Sequence, residues 1–132
     1  MNQIRTLDKF TLAYIECALW SSLDESTPNG GRPLDKNYSI DDIDEKTLGK
    51  IVEDCKKFQE DNEKMLNELE SPNHHYSLEE MAGYDFWLTR NRHGAGFWDG
   101  DWRKYGDELT DASQKFGEFN LYVGDDGKIY GD

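Results

Sequence analysis

The residues best equipped for chemistry fall close together: Asp85, Arg90, Arg92 and His93, with Trp87, Phe97, Trp98 and Asp99 around them and Gly94 and Gly96 between. A helix end presenting two guanidiniums and an imidazole beside a glycine-bounded turn can hold a carboxylate or phosphate, or meet a partner surface. Asp85 lies one to two helical turns upstream of His93, where it can orient the imidazole. General acid–base catalysis needs a second positioned group, and no nucleophile motif or triad order is visible. Asp85, Arg90, Arg92, His93 and Trp98 are therefore read as a candidate ligand or partner loop, with no catalytic residue and no enzyme activity expected. Beside this stands a purely architectural reading: Asp85 pairs with an arginine, His93 bonds backbone in the turn, and the glycines let the aromatics pack.

The other candidate clusters are weaker. Gly124-Asp125-Asp126-Gly127 has only two adjacent aspartates, whereas a calcium loop needs ligands at five or six alternating positions; it reads as a hairpin turn. His74 and His75 are neighbours, and adjacent imidazoles seldom chelate one tetrahedral ion. Cys17 and Cys55 lie on the apolar stripes of two different helices, without a CxxC pair, and read as buried free thiols of a reducing cytoplasm. No metal and no cofactor are expected.

Charge is the remaining candidate. Among 132 residues, 28 acidic and 15 basic side chains leave a net −13, which works against direct binding to nucleic acid or an anionic membrane. The excess is uneven: residues 34–82 carry fourteen acids and six bases, against four and three in residues 1–33 and ten and six in residues 83–132. If Asp35, Asp41, Asp42, Asp44, Glu45, Glu53 and Glu60 lie along one rim, they can imitate a run of phosphates and occupy the basic groove of a DNA-binding enzyme. The interspersed Lys46, Lys50, Lys56, Lys57 and Lys64 favour the plainer alternative, a solvated face.

Four helices, a loop and a hairpin must position these groups. Residues 6–23 repeat Leu7, Phe10, Tyr14, Cys17 and Ser21 at three and four, while Leu12, Ile15, Leu19 and Leu23 fill the opposite side; a helix apolar nearly all round is a central one. Residues 24–37 gather Pro28, Gly30, Gly31 and Pro33 into a flexible loop, followed by a turn-rich lead with Ser39 or Asp44 as helix caps. The strongest amphipathic pattern runs from Asp44 to Leu69. Its stripe contains one polar residue, Asn62, and its solvent face includes Asp54 and the pairs Glu53–Lys57 and Glu60–Lys64. Ser77 and Glu80 form a capping box for a helix to about Asn91, and a further helix spans about Trp102 to Phe116 with Gly117 as its C-cap. Alternating residues 119–123 and 128–130 flank an Asp-Gly turn and predict a β-hairpin. Asp8 and Lys9 interrupt any leader-like run, and the apolar stretch 10–20 is about half a bilayer span and contains Glu16, so a cytoplasmic protein is expected. The pattern predicts one α+β, mainly α domain over residues 1–132, with three to four helices around a buried N-terminal helix and a small C-terminal hairpin.

Beyond pattern, the stretches 14–22 (YIECALWSS), 34–42 (LDKNYSIDD), 54–59 (DCKKFQ), 83–99 (GYDFWLTRNRHGAGFWD) and 121–130 (LYVGDDGKIY) together resemble a family of small acidic proteins encoded by bacteriophages and mobile elements. The resemblance spans nearly the whole chain and implies a genomic setting more than a chemistry. Strongly acidic phage proteins of this size are often inhibitors of host enzymes, some by imitating DNA. The resemblance thus implies an interaction protein in the host bacterial cytoplasm that modulates a host protein, such as a nucleic-acid-processing or defence enzyme. The alternative is a binding module for a small anionic ligand or peptide at the Asp85–Trp102 loop.

Overall fold

The computed structural model describes residues 7–24, 32–67, 78–91, 97 and 105–131. Helix α1 (Lys9–Ser21) starts where the Asp8 carboxylate accepts the Thr11 amide at 2.8 Å, satisfying one of the donors a helix start leaves unpaired. Phe10, Ala13, Tyr14, Ile15, Cys17, Ala18 and Leu19 are all buried, as expected of a central helix. One side departs from that expectation: Ile15 and Leu19 turn inward, but Leu12 is 37 % exposed and Trp20 59 %. Its main neighbour is helix α4 (Leu78–Arg90). The two backbones meet at Gly83, where a Cβ would run into the Phe10 carbonyl, so only glycine allows this approach.

Of the stretch expected to be a flexible loop, residues 25–31 lie outside the described residues, and the two ends that are described pair with each other. Strands β1 (Leu23–Asp24) and β2 (Arg32–Pro33) pair antiparallel, and a 3-10 turn follows at Leu34–Lys36, with Leu34 fully buried. Of the two candidate caps for the next helix, Asp44 takes that place and Ser39 caps a 3-10 turn before it. Ser39 Oγ accepts the Asp41 amide at 3.3 Å while Asp42 Oδ2 accepts the Ser39 amide at 2.8 Å, closing a 3-10 turn at Ile40–Asp42. Asp44 Oδ2 then accepts the Lys46 and Thr47 amides and opens helix α2 (Glu45–Asp61).

Helix α2 buries Leu48, Ile51, Cys55 and Phe58, but it does not run on to Leu69. Buried Asn62 must satisfy its amide, and it does so by donating from Nδ2 to the Phe58 carbonyl at 2.8 Å; the helix stops there and α3 (Glu63–Asn67) resumes after it. The expected pairs Glu53–Lys57 and Glu60–Lys64 do not form either. Lys57 bonds Asp61 at 3.0 Å and Lys50 bonds Asp54 at 2.9 Å.

Helix α4 matches its expected span; its predicted Ser77 cap lies outside the described residues. Helix α5 spans Gly106–Gln114; its expected start near Trp102 lies outside the described residues, and its C-cap is Lys115 rather than the expected Gly117, which follows two residues later at φ 75°. Strands β3 (Leu121–Val123) and β4 (Ile129–Gly131) form the C-terminal hairpin in the register Tyr122 opposite Tyr130, with Gly127 at φ 80° in the turn. Ile129 ties it to the rest: its carbonyl accepts the Asp44 amide at 2.8 Å, next to a parallel bridge with Ile43. The core is aromatic, with Phe58 stacked on Phe86 at 4.2 Å between ring centroids and Phe10, Tyr14, Phe97 and Phe116 around them. The architecture is α+β and mainly α, with the hairpin closing one end. Among the described residues no helix is long and apolar enough to cross a membrane.

Candidate functional site

The cation at the centre of the expected ligand loop faces the wrong way for a ligand. Arg90, in the last turn of α4, is 2 % exposed. Its Nε donates to the Gly117 carbonyl at 2.8 Å and Nη2 to the Phe116 carbonyl at 3.1 Å, so it satisfies carbonyls just beyond the end of α5. Nη1 donates to the Tyr14 hydroxyl at 3.1 Å and to Asp54 Oδ2 at 3.0 Å. The guanidinium also lies over the rings of Phe86, Phe116 and Phe119, at 5.3 to 5.6 Å from their centroids.

Asp54, expected in solvent, is therefore a buried ion-pair partner, its other oxygen held by Lys50. The sequence carried a signal for it: Asp54 is three residues after Ile51 and four before Phe58, on the edge of the apolar stripe. Tyr14 completes the network, and burial drives its hydroxyl far above the ordinary phenol range, opposed by the neighbouring Arg90. It stays a neutral donor and acceptor.

Of the remaining loop residues, Asp85 is buried on α4, while Arg92, His93 and Trp98 lie outside the described residues. Phe97, the one described residue of that segment, packs into the core and its amide donates to Thr89 Oγ1 at 3.1 Å. Asn91 bridges the same end of the molecule, accepting the Phe119 amide at 2.8 Å and donating to the Trp87 carbonyl at 3.0 Å. Thus Arg90, Asn91 and Phe97 lock α4 to α5, the hairpin and the core, and Arg90 has no free face for an external anion.

The thiols are equally inward. Burial, with Asp85 nearby, pushes the Cys17 thiol up to about 12, and burial likewise raises Cys55, so both stay protonated at neutral pH. In the hairpin turn, Asp126 accepts the Tyr130 hydroxyl at 2.6 Å and the Lys128 amide at 3.0 Å. These bonds hold its carboxyl below the usual range, with the Tyr130 bond foremost, and raise the Tyr130 hydroxyl to about 12. That carboxylate closes the turn. His74 and His75 lie outside the described residues, and among the described ones no three His, Cys, Asp or Glu side chains gather as a metal site.

The predicted acidic rim divides in two. Asp42 and Asp44 are half-buried and spend their oxygens on the caps described above. Asp35, Asp41, Glu45, Glu53 and Glu60 are exposed and make no ion pair among the described residues. Glu45, Glu53 and Glu60 share one side of α2, with Lys56 among them; Glu53 and Glu60 are separated by a rise of about 10 Å.

A feature with no counterpart in the sequence reading is a cleft of 580 Å³ between α1, the 3-10 turns and α4. Leu12, Glu16 and Trp20, spaced four residues apart along α1, form one wall. Comparison with protein-family models, curated proteins and solved structures finds no match for this chain, so its function is argued from its own residues.

Proposed function

We propose that the chain is a non-enzymatic interaction protein, encoded by a bacteriophage or mobile element, that binds a basic surface of a host protein in the bacterial cytoplasm. A nucleic-acid-processing or defence enzyme is the favoured partner, because its DNA groove offers the densest positive field. The observation that carries this reading is the set of exposed carboxylates at Asp35, Asp41, Glu45, Glu53 and Glu60, which no cation of the described residues neutralises. With a net charge of −13, their field adds to that of the whole chain and extends about 10 Å at moderate salt. Steering by that field makes association fast and salt-sensitive.

The test is capture from bacterial lysate on immobilised protein at low and high salt, with elution by duplex DNA. Reversing Asp41, Glu45, Glu53 and Glu60 to lysine leaves the caps Asp42 and Asp44 intact and should weaken capture of a DNA-binding enzyme by about tenfold or more. Capture that survives both high salt and the four reversals overturns the proposal.

A further inference from the structure

The cleft beside α1 has a composition that selects its occupant. Among the described residues three large apolar side chains are exposed, Leu12, Trp20 and Tyr122, and two of them stand on this one cleft. Leu12 and Trp20 are eight residues apart on α1, a rise of about 12 Å, with Glu16 between them on the same stripe. The opposite wall supplies Tyr38 and Ile40, both half-buried, and exposed Asp35; α4 contributes Glu80 and Tyr84. The Tyr84 hydroxyl lies 3.5 Å from Glu16 Oε2, at the long limit of a hydrogen bond. Against three acidic residues the lining has one base, Lys9.

An enclosed small-molecule pocket buries most of its ligand between recessed walls. Here the largest aromatic stands 59 % exposed on the lip, the disposition of an interface anchor, since Trp dominates binding energy where a partner covers it. Two apolar contacts on α1 with one carboxylate, Glu16, between them, and Asp35 facing from the opposite wall, match a partner segment in which bulky apolar residues alternate with Lys or Arg. Charge decides against an acidic or lipid-headgroup occupant, which Glu16 and Asp35 would repel.

We propose that this cleft seats a basic amphipathic segment of a partner protein, with Leu12 and Trp20 as apolar anchors and Glu16 and Asp35 as charge partners. The proposal deepens the reading above and rests on its premise that the partner is a basic protein; it adds where the specific contact is made. The two surfaces share only Asp35, so they separate experimentally.

The experiment uses the full chain and a fluorescently labelled helix-forming peptide of Leu and Lys in an amphipathic repeat, read by anisotropy. Its Lys-to-Glu counterpart is the control. Trp20→Ala and Glu16→Lys should each weaken binding of the Lys peptide tenfold or more, while Glu53→Lys with Glu60→Lys on α2 changes it less than threefold. Thermal melts of each variant check that the fold is retained. Equal loss from the α2 and cleft variants, or no loss from Trp20→Ala, overturns the cleft and leaves diffuse acidity as the binding determinant. Sedimentation of the free chain covers the other occupant: a dimer that Trp20→Ala dissociates means a second copy fills the cleft, and the proposal fails. The lysate capture described above reads the broader reading independently, since its four reversals lie outside the cleft.

Discussion

Glu53 and Asp54 are neighbours on α2, yet Glu53 stands in solvent with no ion pair among the described residues, while Asp54 is 5 % exposed and held between Arg90 and Lys50. The same carboxylate chemistry serves two ends. Inside, it fixes how α2, α1 and α4 meet; outside, it remains a source of field. The contrast also reverses the weight the sequence places on its residues: Arg90, the most ligand-like cation, belongs to the scaffold, and the undistinguished glutamates stay available.

That contrast breaks first at Arg90. Arg90→Met leaves Asp54 buried with only the half-exposed Lys50, and should cost about 3–5 kcal/mol in urea unfolding. Adding Asp54→Leu should recover part of the loss but not all, because the Tyr14 hydroxyl and the Phe116 and Gly117 carbonyls still lack their donor. A loss below about 1 kcal/mol would place Asp54 with the screened surface carboxylates and dissolve the distinction.

Gly83→Ala probes the same interior without touching charge. It forces α1 and α4 apart at Phe10 and should cost about 1–3 kcal/mol, with the fold retained. A neutral outcome would mean that the α1–α4 interface yields easily.

The caps lie between the two regimes. Asp44→Ala should cost about 1 kcal/mol, because two amides of the first turn lose their acceptor. At Asp8, partial burial raises the carboxyl, but the bonds from Thr11 and Gln59 outweigh it and hold the folded-state value below the ordinary one. Its stabilisation is therefore present above the ordinary carboxylate range and lost as pH falls through the lower folded value. Asp8→Asn should flatten that part of the acid-unfolding profile; an unchanged slope would remove Asp8 from the account.

The smallest stability effect belongs to the outer face. Glu53→Lys and Glu60→Lys should each shift stability by no more than about 0.5 kcal/mol in thermal melts, even where partner capture collapses. A large loss would show that this face, too, is structural.

Legibility follows the range of the interaction involved. Asp44 and the Asp126-Gly127 turn are readable because each acts on backbone within a few residues of itself. Asn62 stands out in the sequence as the odd member of its stripe, but its bond to Phe58, which ends α2, follows only from its burial. Asp54 reads as exposed by residue type alone: its spacing points inward and its charge outward, and the deciding partner is 36 residues away. Leu12 and Trp20 stand in a helix whose sequence is apolar nearly all round; their exposure depends on which neighbours α1 acquires.

By itself, the amino-acid order determined the start of α2, the hairpin and the net charge, since caps, turns and periodicity are short-range properties of the chain. The tertiary structure alone decided which charges became internal and which apolar side chains stayed uncovered. Burial is set by contacts between distant segments, such as Arg90 with Asp54 and Tyr14, and no local pattern encodes the distance between them.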